Sequence, residues 1–151
     1  MTFHWPDSRP GQPDNVTTGQ TLDLTGAPAG ATRLAFLGAA SEGDAVRHGA
    51  TGTVRIAYTD GTVQTAELGL SDWLLGDGGE QPAYGNTVVA STAYVNSSFP
   101  RYMMRLRRAY QAHVFATVPI ALDPARRVSS VTLPARWQGG GTGHIFTYAV
   151  S

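Results

Sequence analysis

At 151 residues the chain has room for one domain, and a chain of that length buries roughly 70% of the surface its unfolded form exposes, so an ordinary core holds it without disulfide or metal staples. With no Cys and with Arg supplying all 11 basic residues, disulfide frameworks, zinc ribbons, thiol nucleophiles and every chemistry that needs a lysine amine are excluded. The 11 basic and 11 acidic residues cancel, which argues against a non-specific nucleic-acid binder, since that role needs surplus positive charge.

In chain order, residues 1–20 carry Pro6, Pro10, Gly11 and Pro13 and are expected to form an extended N-terminal segment ahead of a domain spanning 21–151. Nothing there reads as a signal peptide, because Trp5, Pro6 and Asp7 interrupt any apolar stretch, and no run approaches the ~20 residues that cross a bilayer. Strands are expected around Thr21 to Leu24 and Thr32 to Gly38, followed by a hairpin within Gly52 to Leu70. In that hairpin Val54, Ile56 and Tyr58 alternate with Thr53, Arg55 and Ala57, and Asp60-Gly61 supplies the turn, with Gly accepting a positive φ. Further strands fall around Asn86 to Val95, His113 to Ala121, Val128 to Leu133 and His144 to Ser151.

Between them, Arg101 to Gln111 reads as either a short helix or an irregular excursion, and Gly76 to Gly79 and Gly139 to Gly141 read as loop tips. About eight short strands separated by turns predict an all-β, jelly-roll-like sandwich of two antiparallel sheets.

Several segments together are familiar in kind. They are Phe3-His4-Trp5-Pro6 with Gly11 to Val16, Leu34 to Ala40, Tyr58 to Thr62, Leu68 to Trp73, Pro82 to Asn86, Val118 to Pro124 and Val128 to Pro134. In this order they resemble the β-sandwich accessory module of secreted actinobacterial glycoside hydrolases, such as α-mannosidase-like exo-glycosidases. The resemblance implies a non-catalytic, carbohydrate-binding or galactose-binding-like domain that works outside the cell beside a catalytic glycosidase domain, on a glycan or polysaccharide. Two departures stand out. The Gly-, Ser-, Tyr- and Asp-rich segment that usually precedes the Phe-x-Trp-Pro stretch is missing, and Tyr94 to Arg101 replaces a shorter turn, followed by Arg105, Arg107 and Arg108.

Sugar recognition needs an aromatic face against the C–H side of a pyranose and planar polar side chains for its hydroxyls. The stretch from Asp72 to Arg101 holds both, and the candidate carbohydrate-binding residues are Asp72, Trp73, Tyr84, Asn86, Tyr94, Asn96 and Arg101. Each has a plainer reading: Trp73 follows a strand and can serve as a plug between sheets, and Asp72 can cap the turn after it. Trp5 and Trp137 are further aromatic candidates, Trp137 with the alternative of folding over an open sheet edge. His113 and His144 each begin a strand and can become neighbours in one sheet, yet the four histidines have no metal-site spacing. No cofactor is expected. Structural calcium would draw on Asp77, Glu80 and loop carbonyls, with no EF-hand spacing to support it.

Catalysis has little to stand on. Asp72 with Glu80 is the best carboxylate pair on paper, and no Gly-x-Ser-x-Gly elbow occurs. The alternative to carbohydrate binding is a structural or assembly module that packs against a catalytic domain or a copy of itself through a sheet edge and the Arg101 to Arg108 stretch.

Overall fold

The computed structural model describes residues 1–4, 18–41, 49–93, 111–139 and 141–151. Among the described residues nine strands form two antiparallel sheets: β1 (Thr21–Asp23), β2 (Arg33–Ser41), β3 (Ala50–Tyr58), β4 (Val63–Leu70), β5 (Thr87–Ser91), β6 (His113–Ala116), β7 (Ile120–Ala121), β8 (Val128–Thr132) and β9 (Thr142–Val150). A single helical turn, α1 (Leu75–Gly78), sits between β4 and β5. The predicted all-β sandwich is the observed architecture. Residues 101–110 of the expected helix lie outside the described residues.

The first sheet has the order β1-β8-β3-β4. Its β4 end is the predicted hairpin, in which β3 and β4 pair from Ala50↔Leu70 to Ala57↔Val63. The turn is longer than a two-residue Asp-Gly corner. Gly61 N–H donates to the Tyr58 carbonyl at 3.0 Å and Tyr58 N–H to the Thr62 carbonyl at 3.0 Å, while Gly61 alone of the turn residues takes a positive φ, +83°. This is a three-residue loop ending on a left-handed glycine, which matches the twist of the flanking strands.

The second sheet is built around β2. On one edge β9 pairs with it from Leu34↔Val150 to Ser41↔Thr142. On the other edge lie both β6, at Leu37↔Ala116 and Gly38↔Phe115, and β7, at Arg33↔Ala121 and Leu34↔Ile120. The stretch expected as one strand from His113 to Ala121 is therefore one strand interrupted by a bulge, because four steps on it span three on β2. Thr117 repairs the ladder at the interruption: its N–H donates to the Phe36 carbonyl and its Oγ1 accepts the Phe36 N–H, both at 3.0 Å. Beyond β6, β5 closes the sheet with all five of its residues exposed.

The core lies between the sheets. Leu34, Phe36 and Ala40 of β2 meet Val54, Ile56 and Tyr58 of β3, joined by Leu68, Leu70, Val131 and Ile145. Tyr58 is buried to 4% exposure without an orphaned hydroxyl, donating to Gln64 Oε1 at 2.6 Å and accepting the Asp123 N–H at 3.2 Å. Of the expected loop tip at Gly139 to Gly141, Gly139 is exposed, although a Cβ on it would lie 2.9 Å from the Gly49 carbonyl, whereas Gly141 is buried.

Candidate functional site

The chain leaving β4 creates the most distinctive local feature. Ser71, Asp72 and Trp73 cross from the first sheet to the second and pair with Ala40 at the end of β2: Ala40 N–H donates to the Ser71 carbonyl at 2.8 Å, and Trp73 N–H to the Ala40 carbonyl at 2.9 Å. On the other side His113 N–H donates to the Trp73 carbonyl at 2.8 Å. The three residues thus form a wedge that parts β6 from β2 beyond Gly38, where those strands are still paired.

The wedge turns sharply after Trp73, and Asp72 holds the turn. Its Oδ2 accepts the N–H groups of Leu74 at 3.1 Å and Gly76 at 3.2 Å, with the side chain buried. Such a carboxylate satisfies donors that would otherwise be orphaned at the start of α1. Leu75, next in line, is one of two non-glycine residues with positive φ among the described residues, at 48°.

Where β2 and β6 part, a half-open cavity of 510 Å³ forms on the second sheet, with Trp73 half-buried in its wall. Its centre is apolar, lined by Ala39, Ala40, Ala112 and Val114, with Phe146 as a second aromatic. Two serine–histidine pairs stand at its flanks. Ser41 Oγ lies 2.7 Å from His144 Nε2 where β2 meets β9, and Ser91 Oγ lies 2.8 Å from His113 Nδ1 where β5 meets β6. The two histidines do share one sheet, on opposite sides of β2, and each line the same cavity. The volume falls within the range of small-molecule sites, about 300–1,000 Å³, and the mix of apolar lining with a few fixed polar groups is what such sites use.

The other sequence-selected residues are placed differently. Tyr84 does not join Trp73. It lies in a second depression of 270 Å³ with Glu67, Asn86 and Val118, and the two depressions share no lining residue. Tyr84 takes φ +55°, and its ring lies across Gly69, where any Cβ would collide with it. The sequence places Gly85 beside it, and Gly85 too has a positive φ, +71°. Asn86 is buried to 7% exposure, and its Nδ2 donates to the Gly69 carbonyl at 3.1 Å and to Ser71 Oγ at 3.2 Å, tying the return of the loop to the end of β4. Tyr94, Asn96 and Arg101 lie outside the described residues, as do Trp5 and the rest of the Arg-rich stretch.

Trp137 packs at the edge of the core, with its indole against Gly143 of β9 and its Nε1–H donating to Thr18 Oγ1 at 3.4 Å. Among the described residues no three His, Asp or Glu side chains converge as a metal site would require. No helix among them is long and apolar enough to cross a membrane.

The serine–histidine pairs and Phe146 were not selectable from sequence. Each pair joins residues far apart in the chain, 103 positions for Ser41 and His144, and depends on strand register. The strand-initial histidines were the available signal.

Compared with known proteins, the chain matches no family model and no curated protein.

Proposed function

We propose that this domain is a non-catalytic carbohydrate-binding module, acting outside the cell beside a glycoside hydrolase catalytic domain of the kind its sequence motifs resemble. The observation that carries the reading is the position of Trp73, which lines a 510 Å³ cavity between two hydrogen-bonding serine–histidine pairs. An indole face for the C–H side of a sugar ring, with polar groups at the flanks for its hydroxyls, is the combination sugar recognition requires. Asp72, half of the best carboxylate pair for hydrolysis, is occupied in holding the turn after Trp73, which favours binding over chemistry.

A glycan array with the full chain, followed by titration calorimetry of the hits, tests the reading. Trp73→Ala is expected to lower affinity at least about tenfold while the protein stays folded. Absence of binding to every sugar on the array would sink it.

A second reading, packing against a catalytic domain or a second copy, is favoured by exposed apolar groups at one end of the second sheet. Val118 is 54% exposed and Tyr84 40% exposed in the same depression, and Val89 of edge strand β5 is 49% exposed. Light scattering at high concentration, alone and with a neighbouring catalytic domain, checks it, and a strict monomer with no affinity for that domain would rule it out.

A further inference from the structure

The lining of the Trp73 cavity narrows what kind of ligand fits it. Among the described residues, the hydrogen-bonding side chains that line it are the Ser41–His144 and Ser91–His113 pairs at the flanks, with Thr92 beside the second, and the indole N–H of Trp73. Thr92 is itself engaged, its Oγ1 accepting the Ala112 N–H at 3.0 Å. Between the flanks the wall is methyl, isopropyl and ring: Ala39, Ala40, Val114, Trp73 and Phe146. A bare hexose carries a hydroxyl on nearly every carbon. Seated here, it could match a few hydroxyls at one flank, while those over the alanines would lose water and gain no partner, at the cost that any unpaired buried polar group incurs. An apolar group of similar size would lose nothing on entering the same space and would gain from leaving water.

We propose that the cavity receives an apolar substituent of a sugar, an aryl, alkyl or acyl group on the ring, while the sugar's hydroxyls meet one flanking serine–histidine pair. This rests on the carbohydrate-binding reading above and specifies the class of glycan within it. Trp73 and Phe146 then hold the substituent, and the imidazole–hydroxyl pair, which presents both donors and acceptors, selects the hydroxyls beside it.

The test is calorimetry on the full chain with a panel of p-nitrophenyl pyranosides, each measured beside its parent sugar and beside p-nitrophenol alone. At least one aryl glycoside is expected to bind about tenfold or more tightly than both its parent sugar and p-nitrophenol. Ala90→Leu provides the control, because Ala90 is an exposed residue of edge strand β5 that lines the cavity, so a larger side chain there fills the space without entering the core. It should remove most of the aryl advantage and leave the weak affinity for the parent sugar in place. Equal affinity for aryl glycoside and parent sugar would overturn this proposal and leave the carbohydrate reading intact. Binding of p-nitrophenol as tight as that of any glycoside would instead overturn the carbohydrate reading itself. Silence across the whole panel would count against both.

Discussion

The two sheets solve the same burial problem in different ways. In the first, β3 alternates: Val54 and Ile56 are fully buried while Thr53 and Arg55 are exposed, so one face seals the core and the other meets water. In the second, β2 is buried on both faces. Leu34, Phe36 and Ala40 enter the core, yet Ala35, Leu37 and Ala39, which point the other way, are also buried, at 1%, 6% and 3% exposure. A sheet whose central strand is buried on both faces can carry a concave apolar site on the outer one, and the wedge of Ser71 to Trp73 opens that site by parting two of its strands. Function is therefore expected on the side of the molecule where the hydrophobic pattern is least regular.

The largest expected effect tests whether the outer face of β2 is a true second core. Phe36→Ala, on the inner face, should cost about 3–5 kcal/mol, and Leu37→Ala, its neighbour on the outer face, about 2–3 kcal/mol, both read from urea unfolding. If Leu37→Ala costs under about 0.5 kcal/mol, the outer face is only superficially covered and the contrast between the sheets disappears.

This contrast also explains how much was legible beforehand. The β3–β4 hairpin could be read because alternation and an Asp-Gly turn are local signals, and both refer to a strand with one wet face. The Leu34 to Ala40 run was legible as a strand, but a run without alternation says nothing about which side is which. The bulge at Thr117 was invisible, because threonine is an ordinary strand residue and its bonds to Phe36 reach across 81 positions. Site residues divide in the same way. Asp72 could be read as a turn cap from its short carboxylate, and it is one. Asn86 looked like a loop amide open to a ligand, whereas its donors are held by Gly69 and Ser71, contacts that exist only once the loop has closed on β4. Tyr84 in a left-handed conformation runs against local preference, with a glycine next to it in sequence, and it is held there by its ring on Gly69.

Next in size are the polar ties that join the sheets at the wedge. Asn86→Ala leaves the Gly69 carbonyl and the Ser71 hydroxyl without their amide donor in a buried setting, and about 1–3 kcal/mol should be lost. A loss below the uncertainty of the unfolding curve would mean that water replaces the amide and that the loop is not anchored there. Asp72→Ala frees the N–H groups of Leu74 and Gly76 and should cost about 1–2 kcal/mol. Its second readout is the Trp73 fluorescence environment, isolated in a background where Trp5 and Trp137 are replaced by Phe. If the carboxylate orients the wedge, ligand affinity and emission change together. A stability loss with unchanged emission would confine Asp72 to the turn.

The smallest effect belongs to the regular sheet, at the hairpin turn. Asp60 Oδ1 accepts both the Thr62 Oγ1–H at 2.6 Å and the Thr62 N–H at 2.9 Å, and Arg126 Nε lies 3.6 Å from Oδ2. The Thr62 hydroxyl, then the Thr62 N–H, and to a lesser degree Arg126 hold the Asp60 carboxyl below the ordinary carboxylate range. Asp60→Asn keeps an acceptor and a turn-forming residue but removes the charge, so only the preference for the ionised form is lost. Because that carboxyl titrates lower in the folded chain than in the unfolded one, its contribution is complete above the unfolded carboxylate range, about pH 4, and fades as the pH falls through the lower folded value. Asp60→Asn should therefore melt slightly below the parent protein at pH 7, with the gap closing as the pH approaches about 2. The side chain is exposed and solvent screens it, so the shift stays small. A gap of the same size at pH 2 and pH 7 would mean that the asparagine disturbs the turn geometry itself, and that the left-handed Gly61, not the charge on Asp60, is what sets this hairpin turn.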